Sequence, residues 1–333
     1  MSSKFVHLHT HSHYSLLDGL IKIDEMVDEA IKMGMPAIAL TDHGSMYGAI
    51  EFYKQCQKSG IKPIIGVETY VALESMTQKR PNIDNKRYHL ILLAKNEIGY
   101  KNLLKIVTAS YLEGYYYKPR TDKDFLRKHS EGLIALSACM AGEVSRMIER
   151  KDPERAEKAA REYEDIFGKG NFYIEISHHP DIENHTNIQK GLVELARRIN
   201  IPLVATQDAH YIKPEDAMAQ DILVAIQTNA ELADANRLTM KLDNFSMRSG
   251  EEMEKLFKDN PDAIENTFKI AEMCDIKLNL GKWVFPKLDL EGSQNPEEYL
   301  IENAKKNYLK IFGDKDMDGE VKKRLEYELD VIP

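Results

Sequence analysis

HLHTHSHYSLLDG, residues 7–19, places a histidine at every second position from His7 to His13, with Asp18 close behind. In an extended chain alternate side chains point to the same face, so this spacing gathers the imidazoles on one side. Burying these imidazoles without polar partners would be energetically costly. The stretch therefore predicts a first strand that carries metal ligands.

The same design recurs later in the sequence, where short apolar runs end in residue types that bind metals. The runs at 37–40, 63–67, 133–136 and 203–205 are followed by Asp42 and His43, Glu68, Cys139, and Asp208 and His210. In α/β folds, functional groups collect at the carboxyl ends of the strands. Each residue alone has an ordinary explanation, such as a helix cap, a surface charge or a small core residue. Their repetition at corresponding places favours one shared metal site.

Apolar runs alternate with amphipathic stretches along most of the chain. Runs at 5–8, 37–40, 63–67, 89–93, 133–136, 172–176 and 203–205 predict strands, and stretches near 23–31, 152–167 and 184–200 predict helices. This alternation is typical of a parallel α/β barrel or a doubly wound sheet. After about residue 274 the pattern changes, and two further helices are expected at 297–311 and 320–331.

The composition is that of a soluble globular protein rather than a fibrous or disordered one. The 333 residues are 43% hydrophobic and 30% charged, with a net charge of −9. The apolar runs are too short to cross a bilayer, and the start has no signal-peptide core, so a cytoplasmic location without a membrane partner is expected. Three widely separated cysteines argue against a disulfide framework. The negative charge disfavours nucleic-acid binding by the chain alone, unless bound metals invert the local charge.

Several motifs together resemble the PHP (polymerase and histidinol phosphatase) domain family. They are HLHTHSHYSLLDG, LTDHGSMYGAIEFYKQC, GIKPIIGVETYV, YHLILLAKN, GLIALSACMAGE and ATQDAHY. More narrowly, they resemble the form of this domain found at the N-terminus of bacterial DNA polymerase III alpha subunits. The resemblance implies an α/β fold, a distorted (β/α)7-type PHP barrel at residues 1–275. It also implies a C-terminal helical extension at 276–333, a linker and helices leading towards a polymerase palm domain outside this sequence.

The resemblance also implies a set of metal ligands. Carried over position by position, the set is His9, His11, Asp18, His43, Glu68, His89, Cys139, Asp208 and His210. Mixed imidazole, carboxylate and thiolate ligands suit Zn, Mn or Fe, and a set of this size suits about three divalent ions. His89 fits less well, because it precedes its apolar run whereas the other ligands follow theirs. His7 is expected to orient its neighbours and His13 to lie at the surface.

Closely spaced metal ions can clamp the attacking and leaving oxygens of a phosphate ester and supply hydroxide at neutral pH. The sequence therefore predicts phosphoester hydrolysis, with His43, Asp208 and His210 as catalytic residues. The segment 115–120 combines three tyrosines with Lys118 and Arg120, a composition suited to a single-stranded 3′ end of DNA. A solvated loop is the alternative for that segment. His179 is a further candidate for contact with the substrate.

Three functions remain open from the sequence. The first is a metal-dependent 3′–5′ exonuclease that proofreads, which the resemblance implies, with DNA, the remainder of the polymerase chain and replisome subunits as partners. The second is a structural module in which metals staple the domain and support the polymerase without turnover. The third is a small-molecule phosphatase of histidinol-phosphatase type, against which the C-terminal extension argues.

Overall fold

The computed structural model describes residues 4–16, 18–283, 290, 295–316 and 319–332. The chain divides into two compact units, residues 1–278 and 279–333. The strands are β1 Ala37–Leu40, β2 Lys62–Ala72, β3 Arg87–Ala94, β4 Arg120–Thr121, β5 Leu133–Leu136, β6 Phe172–Ile176 and β7 Leu203–Ala205. The helices of the first unit are α1 Ile23–Lys32, α2 Ala49–Ser59, α3 Glu97–Leu112, α4 Lys123–Lys128, α5 Glu143–Glu149, α6 Pro153–Phe167, α7 His185–Ile199, α8 Ala217–Thr228, α9 Gly250–Leu256 and α10 Pro261–Met273. Those of the second unit are α11 Pro296–Ile311 and α12 Glu320–Val331.

The strands form one mixed sheet in the order β1-β2-β3-β5-β6-β7, with β4 paired to β2. All neighbouring pairs are parallel except those of β3, which runs antiparallel to both β2 and β5. The predicted α/β class is confirmed, and the sheet departs from the parallel arrangement at β3, the strand that carries His89. This reversal explains the position of His89, which lies near the start of β3. The start of an antiparallel strand lies beside the ends of its neighbours, so His89 reaches the edge where the other ligands are found.

The predicted first strand is not a regular strand, although its residues are extended and buried. Backbone hydrogen bonds join this segment to residues that lie at the two ends of the sheet. The carbonyls of His7 and Thr10 accept from Ala39, which lies in β1, and from Thr41, which follows it. The carbonyl of His9 accepts from the amide of Ala209 after β7, and the amide of His11 donates to the carbonyl of Ala209. The histidine-rich segment therefore lies between β1 and β7, the first and last strands of the sheet, and is bonded to both sides.

The helices follow the predicted apolar periodicity. In α1 the residues Ile23, Met26, Val27 and Ala30 are buried on one face, as their spacing indicates. Helices α6, α7, α11 and α12 lie within a residue or two of the expected ranges. The predicted linker falls largely at 284–289 and 291–294, outside the described residues. Within the described ranges, no helix combines the length and the apolar character needed to cross a bilayer.

Candidate metal centre

The structure brings all the predicted ligands into one cluster, on the side of the sheet where β1, β5 and β7 end and β3 begins. Three groups of ligand atoms each lie within 4.8 Å of one another: His11, His43 and His210; His9, His11 and Asp208; and Glu68, His89 and Cys139. Asp18 joins them through an Oδ2 atom 3.1 Å from Nε2 of His43. The convergence of these side chains is a feature of the fold, while their binding of metal ions stays a prediction.

Glu68 lies at the centre of this cluster. The strand β2 continues past it to Ala72, so Glu68 stands inside a strand rather than after one. Its side chain is 1% exposed, which rules out a surface charge. One carboxylate oxygen lies 2.7 Å from Nδ1 of His89 and 3.6 Å from Nε2 of His9, and the other contacts Nδ1 of His43. A carboxylate so placed can bridge neighbouring ions.

Several buried ligand atoms converge at ion-pair distances without the geometry of a normal hydrogen bond. Nε2 of His9 lies 3.1 Å from Oδ1 of Asp208, and Nε2 of His11 lies 3.2 Å from the same oxygen. Among the described residues no hydrogen-bond partner is found for His9 Nε2, His11 Nε2, Asp18 Oδ1, His43 Nδ1, Glu68 Oε2 or Asp208 Oδ1. An unpaired buried polar atom costs about 1–3 kcal/mol. Bound cations would offset that cost, so the donor set fits divalent ions.

The orientation of His9 depends on Glu175, which the sequence analysis missed. Nδ1 of His9 lies 2.8 Å from Oε1 of Glu175, and Thr206 donates its hydroxyl to the same oxygen at 2.6 Å. With the proton held at Nδ1, Nε2 keeps its lone pair for a metal. Glu175 interrupts the apolar run of β6 and is 1% exposed, and an acid inside such a run is the signal that could have revealed it.

His11 is oriented in a similar way by the loop that follows it. Its Nδ1 lies 2.9 Å from the Ser15 hydroxyl, which donates to Oδ1 of Asp42 at 2.7 Å. Asp42 also accepts from the backbone and side chain of Ser12. The hydroxyl therefore accepts from His11, and Nε2 of that ring is left free to bind a metal. Asp42 acts here as an anchor for the loop.

Two ligand loops contain backbone conformations that side chains other than glycine rarely adopt. Asp208 has a φ of 55°, and Ala138, beside Cys139, has a φ of 62°. Such conformations cost on the order of 1–3 kcal/mol each and persist where the surrounding structure fixes them. Asp208 is itself a predicted ligand and Ala138 is adjacent to one, as expected if these loops are held in place for binding.

Charge coupling shifts the pKa values of the cluster in opposite directions. Burial lowers the pKa of His9, but Asp208 and Glu175 outweigh it and raise that pKa well above its usual value. Burial would raise the pKa of Asp208, but His9 and His210 hold it well below its usual range. Burial, then the charges of Asp208 and Glu68, raise the pKa of the Cys139 thiol well above normal.

Metal affinity is expected to fall steeply as the pH is lowered from 8 to 6. His9 and Cys139 hold protons in the metal-free protein because their pKa values are raised, and binding must displace those protons. Asp208 stays ionised over this range because its pKa is lowered, so it adds no pH dependence. Each displaced proton contributes about a tenfold loss of affinity per pH unit. Competition with a chelator at pH 6, 7 and 8 measures this, and a flat profile would contradict it.

The remaining histidines lie away from the ligand atoms or at the surface. His13 is exposed, as predicted. Nε2 of His7 contacts the carbonyl of Arg248 at 2.9 Å rather than a predicted ligand. His179 is buried, its ring stacked 4.2 Å from that of Phe245. Its contact with substrate stays a prediction.

Arg120 has a different role from the predicted one. The side chain is fully buried, and its guanidinium donates to the carbonyls of Gly114, Asp84, Met76 and Gln78. Because the side chain has no exposed surface and is bonded to these carbonyls, the predicted contact between Arg120 and substrate is wrong. Lys118 remains available, with its Nζ 5.8 Å from the centre of the Tyr70 ring.

Replacing Arg120 by methionine is expected to destabilise the fold by about 3–5 kcal/mol, because buried carbonyls lose their donors. Urea denaturation followed by circular dichroism measures the change. The Lys118→Met variant is the matched control and should stay within about 0.5 kcal/mol of the original chain. Unchanged stability combined with weaker DNA binding in the Arg120 variant would restore the substrate role.

Comparison with known proteins places these features in a family. A family model described as the PHP domain matches residues 7–179. DNA polymerase III subunit alpha of Borreliella burgdorferi is 46% identical over 332 residues, which cover 99% of this chain and 29% of that protein. The protein of the same name from Treponema pallidum is 42% identical over 98% of this chain and 28% of its own length. This chain therefore spans less than a third of the curated relatives it matches. A solved two-domain protein from Bacteroides vulgatus, containing a predicted PHP-like metal-dependent phosphoesterase, aligns with a TM-score of 0.38 and 18% identity over 75% of this chain and 62% of that one.

Proposed function

The chain belongs to the PHP domain family, in the form carried by DNA polymerase III alpha subunits, and from this premise we propose that it is a metal-dependent 3′–5′ exonuclease. The observation that supports this is the buried cluster of imidazole and carboxylate atoms around Glu68, several of which form no normal hydrogen bond. Phosphodiesters of a DNA 3′ end are the proposed substrate. DNA, the remainder of a polymerase chain and replisome subunits are the proposed partners.

The proposed metal ligands differ in exposure, and we call the buried ones the floor of the site and the partly exposed ones its mouth. His9, His11 and Glu68 form the buried floor. Asp18, His43 and His89 are 15–20% exposed and form the mouth, where a phosphate can approach. Divalent ions held here would supply positive charge and Lewis acidity for attack by water on phosphorus. In an acidic protein, that local charge inversion makes a polyanionic substrate acceptable.

The proposed catalytic residues act by position. Asp208 and His210 come from the loop after β7, and His43 follows β1, so two separate segments meet at the scissile phosphate. The rings of His11 and His43 are 4.1 Å apart, and those of His11 and His210 are 4.3 Å apart. This packing restricts the imidazoles to one arrangement, which is the preorganisation that phosphoryl chemistry requires.

A primer with a mismatched 3′ end tests the proposal. With Zn or Mn present, a 5′-labelled primer should shorten one nucleotide at a time, and a 3′-labelled primer should release its label at once. Full metal content by mass spectrometry without any shortening would favour the structural module. Turnover of histidinol phosphate, again without shortening, would favour the small-molecule phosphatase.

A further inference from the structure

The metal centre opens into two cavities of unlike character. His43 lines a cavity of about 340 Å³, and His89 lines another of about 420 Å³. The wall between them contains Tyr70 and His89, which face each other across β2 and β3 with ring centres 5.1 Å apart. Tyr70 lines the first cavity, and its ring stacks 6.3 Å from that of His43. A ligand bound at the mouth, between His43 and His89, would therefore lie beside both cavities.

The first cavity, the tyrosine cleft, is lined by Tyr47, Tyr111, Tyr115 and Tyr117. These side chains are 37–68% exposed. Across the described part of residues 4–278, no other phenylalanine, tyrosine or tryptophan is classed as exposed. Such a concentration beside one site marks a binding surface rather than chance exposure. Aromatic faces stack on nucleobases with little preference for sequence, and Lys118 adds one cation.

The second cavity, the basic pocket, is lined by Lys86, Arg87, Arg146 and Arg150. No carboxylate is among its lining residues, although Arg146 pairs with Glu149 beside it. This is notable in a chain with a net charge of −9. Nε of Arg87 is buried and has no hydrogen-bond partner among the described residues. Its guanidinium carbon lies 5.3 Å from the centre of the Tyr70 ring, at the wall shared with the cleft. Guanidinium groups in this arrangement suit phosphate oxygens.

We propose that a single DNA strand crosses the metal centre, with its terminal base in the tyrosine cleft and the preceding phosphates in the basic pocket. This inference rests on the proposed function and names how the site takes its substrate. The cleft offers stacking surface but one lysine, which suits a single departing nucleotide. The pocket offers several cations, which suits the polyanionic strand that remains. Water adds to phosphorus, the bond to the upstream 3′ oxygen breaks, and that oxygen takes up a proton.

This path explains how unpaired ends would be selected. A base can stack in the cleft only after it has left its partner, and unpairing costs least at a mismatched or frayed end. Selection would then come from the energy of unpairing, without contacts that read the base.

Two substrates separate the cleft from the pocket. Thymidine 5′-(p-nitrophenyl phosphate) fills the cleft and the metal centre alone, whereas a single-stranded oligothymidylate also reaches the pocket. The Arg146→Ala/Arg150→Ala variant should raise KM for the oligonucleotide on the order of tenfold and leave KM for the ester unchanged. The slope of log KM against log salt for the oligonucleotide should fall by about 1.4, since each lost phosphate contact on a single strand contributes about 0.7.

Loss of the tyrosines should affect both substrates rather than one. The Tyr115→Ala/Tyr117→Ala variant should raise KM for both substrates on the order of tenfold. The matched control is Arg155→Ala/Arg161→Ala, which removes the same charge from exposed arginines on α6 that also pair with nearby acids. It should change neither KM. Melting temperatures of all variants confirm that they fold.

The outcomes keep this path distinct from the underlying activity. If the metal-loaded chain hydrolyses neither substrate, the proposed function fails. If it hydrolyses both, but the pocket variant behaves like the control or raises KM for both equally, the strand path is wrong. Equal hydrolysis of paired and mismatched ends would also overturn it.

Discussion

Chelation of bound metal ions is expected to lower the melting temperature of the unit formed by residues 1–278 by roughly 10 °C. The ions would stabilise several buried atoms that form no normal hydrogen bond, among them Nε2 of His9 and Oε2 of Glu68. When free metal exceeds its dissociation constant about a thousandfold, binding stabilises the folded state by about 4 kcal/mol. For domains of this size each kcal/mol shifts the melting temperature by roughly 2–4 °C.

Differential scanning calorimetry with and without chelator measures this shift, and metal content by mass spectrometry verifies removal. The control is the chelator saturated with Zn before it is added, which should leave the melting curve unchanged. Returning Zn or Mn to the stripped protein should restore the original value. An unchanged melting temperature after complete removal would mean that the cluster stabilises itself through protonated histidines paired with carboxylates, as the raised pKa values of His9 and His43 allow.

Much of the site could be predicted because several of the ligands follow a local pattern. Parallel strands carry their functional groups at one end, so Asp208, His210 and Cys139 could be assigned to a common edge from sequence alone. The role of Glu175 could also have been predicted, because it is an acid inside an apolar run. Local patterns of this kind are predictive because they reflect which face of each element is buried.

Other features depend on partners that are distant in sequence. The direction of β3 is set by its neighbours β2 and β5, and an apolar run alone does not indicate whether it pairs parallel or antiparallel. The placement of His89 followed from that direction. Arg120 lies in a polar, aromatic segment typical of a surface loop, but four carbonyls of the surrounding chain enclose its guanidinium. The basic pocket likewise joins residues 86–87 to residues 146 and 150, a proximity that only the fold produces.

Replacing Asp208 by asparagine is expected to reduce the proposed exonuclease turnover by at least about 10³-fold, because it removes a charge that would hold ions at the reacting phosphate. Oδ1 of Asp208 lies within 3.2 Å of the Nε2 atoms of both His9 and His11, so one oxygen contacts two other predicted ligands. Asparagine has nearly the same size, so packing is retained while the negative charge is lost. The pKa of Asp208 is held well below its usual range, so the native residue is ionised wherever the enzyme is assayed.

Two measurements distinguish a catalytic effect from a general loss of structure. Single-turnover release of a 3′ label gives the rate, and mass spectrometry gives the metal content of the same sample. The matched control is Glu215→Gln, which removes one negative charge from an exposed residue a few positions further along. It should retain full turnover and full metal content. If Asp208→Asn kept both its metals and its turnover, Asp208 would be neither a ligand nor a catalytic residue. If Asp208→Asn lost metal without losing turnover, hydrolysis would not depend on the ions at Asp208. The buried oxygen between His9 and His11 would then serve only to hold those ions.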